Sequence, residues 1–132
     1  MIAFVFFLSI TSCKKEEAPN ISSNPIVGKW NMTAYIHDGV DVYGTGVPTC
    51  ITDNIITFSN TSIVTSDEGL SKCNASDPQT LSGTYTSNSN QTQIDLTVNG
   101  STESYSILTL NLTTLQLKQL SNNDVITYLK QP

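Results

Sequence analysis

The one histidine of the 132-residue chain, His37, is followed by the acid Asp38, with Asp41 four residues on. An imidazole oriented by a carboxylate is the pairing behind general-base catalysis, and the same three side chains could ligate a metal. Nothing nearby completes either chemistry. No Gly-x-Ser-x-Gly elbow or other activated nucleophile accompanies His37, so the trio reads as an exposed cluster where a strand gives way to a loop. Asp67-Glu68 offers two more acids beside Gly69, but calcium takes about six to eight oxygen ligands, and the pair reads as a solvated hairpin end. The cysteines Cys13, Cys50 and Cys73 include no Cys-x-x-Cys, which argues against zinc. The reading is non-enzymatic, with no catalytic residue, no metal and no cofactor assigned.

Charge narrows the partners. Net charge is −5, and all six basic residues are lysine. Such a surface repels phosphate and lacks the bidentate guanidinium fork, so no nucleic-acid partner is expected. Ser, Thr, Asn and Gln supply the polarity instead, with only 13% of residues charged.

The elements that would position any site begin with an address. Residues 1–9, MIAFVFFLS, are too short to span a bilayer, which needs about 20 apolar residues, but they fit the apolar region of a secretory signal. No positive region precedes them, so the true start of that signal is expected upstream. Ile10-Thr11-Ser12-Cys13 resembles a bacterial lipobox, which implies a diacylglycerol on the Cys13 thiol after cleavage before it. The plainer alternatives are a secreted chain with an incidental Cys13 or a buried N-terminal strand. Lys14-Lys15-Glu16-Glu17 resembles the export tags of Bacteroidota lipoproteins, implying an outer-membrane lipoprotein exposed at the cell surface; a solvated spacer reads equally well. The expected organisation is a signal over 1–12, a lipidated cysteine and flexible tether over 13–25, and a domain over 26–132. Setting Cys13 aside leaves Cys50 and Cys73, an even number for an oxidising compartment. A bridge between them is favoured over two buried thiols or half of a metal site.

From 26 onward no long apolar helix pattern exists, and short segments rich in Thr, Ile, Val, Leu and Tyr alternate with turn residues. The spacing predicts strands in IVGKWNMTAYIH, ITDNIITFS, SIVTSDE, TLSGTYTS, QTQIDLTV, TESYSILTL, TTLQLKQL and DVITYLKQ. Trp30, Met32, Ala34 and Ile36 are expected on one face of the first. Turns are expected at Asn60-Thr61, across Asn88-Ser89-Asn90, and at Asn99-Gly100, the strongest two-residue hairpin signal. Eight tightly connected antiparallel strands suit a closed all-β, up-and-down barrel better than a Greek-key sandwich.

The Gly28-Lys29-Trp30 near the start of the first strand resembles the Gly-x-Trp signature of lipocalins. With the lipobox, CITDNIITFSNTSIVTSDEG, a second Cys, SGTYTSN and SILTLNLTTLQLK in this order, the chain is similar to the lipocalin-like domains of Bacteroidota lipoproteins over 26–132. No Arg is present to pack on Trp30 as in other lipocalins, and Lys130 is the stand-in. Alternation points Trp30, Met32, Ile56, Phe58, Ile63, Tyr85, Ile94, Leu96, Tyr105, Ile107, Leu115 and Leu117 inward. The resemblance implies binding of a small apolar ligand in the barrel, with Trp30, Met32, Ile56, Phe58, Tyr85, Leu96, Tyr105 and Leu117 as its contacts and the 38–49 and 69–79 loops as rim. The alternative is a solid barrel serving as an accessory subunit of an envelope complex, through exposed Tyr43, Val47 and Leu70. No protein partner is legible.

Overall fold

A computed structural model describes residues 24–132; Cys13, the signal and most of the tether lie outside the described residues. The strands are β1 Gly28–His37, β2 Val40–Asp41, β3 Ile55–Phe58, β4 Ile63–Asp67, β5 Thr80–Ser87, β6 Gln93–Val98, β7 Ser101–Leu110, β8 Thr114–Gln119 and β9 Val125–Lys130. From β3 to β9 each pairs antiparallel with the next, β3 also pairs with β1, and β9 returns to β1. The eight long strands therefore form a closed up-and-down barrel, and β2 is a two-residue extension on the edge of β1 beyond β3. Closure leaves no long ladder edge for another chain to extend.

Turn chemistry explains the meander. Asn99 and Gly100 take φ of 51° and 78°, as a type I′ hairpin requires. Asn88 and Asn111 each accept two backbone N–H groups of their own turns through Oδ1, from Thr92 and Gln93, and from Thr113 and Thr114. These are the local side-chain-to-backbone bonds that make Asn a turn former.

The two ends differ. At the base, where residues 24–27 meet the barrel, Ile26 is buried and its carbonyl accepts Trp30 Nε1–H at 2.7 Å. Lys130 Nζ donates to Pro25 O at 2.9 Å and lies 5.0 Å from the Trp30 ring centroid, filling the place expected of it. The connections β1–β3, β4–β5, β6–β7 and β8–β9 all lie at the opposite end, the mouth.

Three local expectations change. A register shift between Met32 and Ala34 marks a β-bulge at Thr33. The extra residue reverses the alternation, so Tyr35, rather than Ala34, packs on the core. In β4 the inward residue is Val64, 5% exposed, and not Ile63, 45% exposed; the parity is one residue off, which swaps faces. A single helical turn, α1 Thr49–Thr52, follows Pro48 in the loop where no helix was expected. One turn carries no amphipathic period that a sequence could reveal.

Candidate functional site

The barrel axis is nearly filled. Trp30, Phe58, Ile94, Leu115 and Leu117 are 2% exposed or less, and Phe58 meets Tyr85 edge-on at 5.1 Å between ring centroids. The cavity left among Trp30, Ile56, Phe58, Leu96, Tyr105, Leu115, Leu117 and Tyr128 is about 70 Å³. Six of the eight expected ligand contacts line it. Met32 and Tyr85 are buried but lie outside this lining; the Tyr85 hydroxyl donates to Ser59 O. An apolar recess of about 130 Å³ shares Ile56 and Leu96 with this cavity and adds Val64, Leu81 and Val98. Both spaces fall below the roughly 300–1,000 Å³ typical of small-molecule sites.

A pocket of ligand size, about 440 Å³, lies at the mouth among Tyr35, His37, Val42, Gly46, Val47, Pro48 and Ile51. The bulge at Thr33 brings Tyr35 into it. Beyond Asn31 the β1 edge leaves β3, and the 38–54 connection covers that opening. Val42 N donates to Tyr35 O, while Val42 O accepts from Thr45, Gly46 and Val47 N–H groups and folds the loop back. Tyr43, expected as an exposed contact, instead packs on the core. Leu70 is fully exposed.

Two clamps fix the mouth loops to each other. Cys50 and Cys73 form a disulfide, joining the β1–β3 and β4–β5 connections, so neither free thiols nor a metal site describes them. Asp53 Oδ2 accepts from Leu70 N and Ser71 N at 3.0 and 2.9 Å.

His37 ends β1 in the wall of this pocket. Its Nδ1 lies 2.7 Å from Asp124 Oδ1, and Nε2 lies 3.6 Å from Asp38 Oδ2. Asp124 is 2% exposed, and its Oδ2 accepts from Tyr35 Oη at 2.7 Å and from Asn122 Nδ2 at 2.9 Å. These hydrogen bonds, led by the Tyr35 hydroxyl, hold the Asp124 carboxyl below the usual carboxylate range. The same bonds raise His37 above the ordinary imidazole value and push Tyr35 up to about 12, with the Asp124 hydrogen bond the largest cause in both. The partner expected of His37 was Asp38 or Asp41. The structure supplies Asp124, 87 residues away, and Asp38 only as an outer neighbour. Among the described residues the pair's further hydrogen-bond partners are Tyr35 and Asn122, an arrangement that can hold and orient a polar group.

A family model described as a lipocalin-like domain matches residues 26–117. The fold is similar to the crystal structure of a lipocalin-like protein from Bacteroides uniformis, with TM-score 0.62 and 14% identity over 81% of this chain and 99% of that one. It is also similar to a DUF4847 family protein from Bacteroides vulgatus, with TM-score 0.56 and 14% identity over 83% and 97% of the two chains. No curated protein matches the sequence.

Proposed function

Since the chain belongs to the lipocalin-like domain family, we propose that it is a non-enzymatic binder of a small apolar molecule, tethered to the outer membrane through a lipid on Cys13. The observation that carries this reading is the apolar mouth pocket of about 440 Å³. Val42, Val47, Pro48 and Ile51 would drive binding by leaving water, at about 25 cal/mol per Å² of apolar area. The mouth lies opposite the end at which the tether joins, so a tethered barrel would present its pocket away from the membrane.

The test is titration of the full chain with the uncharged, environment-sensitive dye N-phenylnaphthylamine. One saturable site is expected. Val47→Asp places a charge against the ligand and should weaken binding about tenfold or more. Absence of a saturable site, or indifference to Val47→Asp, ends the pocket reading. The anchor is tested separately: Cys13→Ala should move the protein from the membrane to the soluble fraction, and unchanged fractionation removes the lipid from the proposal.

The nearly filled interior and the fully exposed Leu70 favour one second reading, an accessory subunit contacting protein through the mouth loops. Under it the dye finds no site, whereas Leu70→Asp releases the chain from its envelope complex.

A further inference from the structure

We propose that His37 is the polar anchor of the mouth pocket and that the ligand is an uncharged amphiphile whose hydroxyl donates a hydrogen bond to His37 Nε2. The inference rests on the mouth-pocket reading and adds the chemical class of its occupant.

The pocket wall supplies few polar side-chain groups. Val42, Val47, Pro48 and Ile51 offer none, and the Tyr35 hydroxyl, its proton given to Asp124, keeps only a phenolic oxygen, a weaker acceptor than a neutral imidazole nitrogen. His37 remains, and its two nitrogens are not equivalent. Ionised Asp124 can only accept, and its Oδ2 is already occupied by Tyr35 Oη and Asn122 Nδ2. The contact at Oδ1 therefore requires the proton on His37 Nδ1. In the neutral ring this leaves Nε2 with a bare lone pair, an acceptor seeking a donor.

Charge selects the head group further. The ion-pair partners of His37 among the described residues are Asp124 and Asp38, both acidic. Asp41 on the paired β2 strand is a third acid at this end of the barrel, opposite Ile36 and so on the other face of β1, and the whole chain carries −5. A carboxylate or phosphate head would enter against this field, whereas a neutral hydroxyl enters freely and supplies the missing donor. Acid reverses the arrangement. A protonated Nε2–H has Asp38 Oδ2 3.6 Å away as its partner, and the ligand loses its acceptor. Hydroxyl recognition therefore belongs to the neutral ring. The Asp124 bond that raises His37 places that switch above the ordinary imidazole range.

The experiment displaces N-phenylnaphthylamine from the full chain with decanol, its methyl ether and decanoate. At about pH 9, above the ordinary imidazole range, decanol should outbind both competitors. Its margin over the ether should be about three- to tenfold, the worth of one net hydrogen bond. In His37→Phe the ratio of decanol to ether affinity, read within the variant itself, should fall to about one, and in the unmodified chain it should shrink at about pH 5, where the ring is charged. Asp124→Asn gives an independent reading of the same bond. Tyr35 and Asn122 keep the amide oxygen at the Oδ2 position, so the amide N–H faces His37 Nδ1 and moves the ring proton to Nε2. The ether, an acceptor only, should then gain on decanol. A margin near one in the unmodified chain, a margin unchanged by His37→Phe, or decanoate outbinding decanol at about pH 9 overturns the anchor while the pocket stands. A dye that does not bind overturns the pocket itself.

Discussion

Asp124 shows what a single buried acid can organise. Its carboxylate collects donors from β1 and from its own turn, and its backbone N–H is taken by Asn122 Oδ1. The Asp124 carboxyl is depressed, so its contribution to stability is complete above the ordinary carboxylate range and is lost as pH falls through the depressed value. His37 is raised, so its contribution is complete below the ordinary imidazole range and is lost as pH rises through the raised value. The two limbs belong to one contact and define one window in weak acid. The midpoint of thermal unfolding should therefore peak there and fall on both sides, and Asp124→Asn should lower the peak and flatten both limbs. Parallel profiles for the two proteins would remove the pair from the account of stability. His37 was recognisable in the sequence as a candidate for chemistry. Its partner was not, because Asp38 and Asp41 are near in sequence whereas Asp124 is brought near only by the β1–β9 register.

At the scale of elements, the legible features are those set by neighbouring residues. Asn99-Gly100 specifies its hairpin locally, and alternation in β6 and β8 buries Ile94, Leu115 and Leu117. The bulge at Thr33 escaped because it is defined by the partner strand, and no residue type near it signals an extra position. Consequently Tyr35 and the pocket it helps to line were hidden. The Cys50–Cys73 bridge was legible from cysteine parity, but its role as a clamp between two mouth connections was not. The half-cystines are 23 residues apart. Replacing both with Ser should cost about 3 kcal/mol of unfolding free energy in the chain-entropy model, read from denaturant midpoints. It should also weaken dye binding, since Ile51 in the pocket wall adjoins Cys50. A loss of stability with dye affinity unchanged would assign the bridge to folding alone. Gly83 is a second element-level constraint. A Cβ there would collide with Thr97 O and stand 2.7 Å from the Val98 side chain, so Gly83→Ala should part β5 from β6 and destabilise by about 1–3 kcal/mol.

The whole molecule is a barrel with unlike ends. Trp30, Ile26 and Lys130 seal the base, the axis is packed around a cavity of about 70 Å³, and the larger space opens at the mouth. Eight strands leave an interior that side chains can fill or that can hold one small ligand, so alternation alone could not separate the two outcomes. The volume of each inward side chain decides, and it leaves the axis nearly full. Leu117→Ala separates an axial ligand from one at the mouth. Leu117 is 2% exposed and lines the axial cavity, so its truncation should cost about 2–5 kcal/mol. The enlarged space would be on the order of 150 Å³, enough for one benzene ring but not for N-phenylnaphthylamine. Its affinity and one-to-one stoichiometry should therefore match those of the unmodified chain, with only the unfolding midpoint lowered. Tighter binding in Leu117→Ala, or a second dye per chain, would return the ligand to the barrel axis. Unchanged binding beside a lowered midpoint would make the packed axis the support on which the mouth is built.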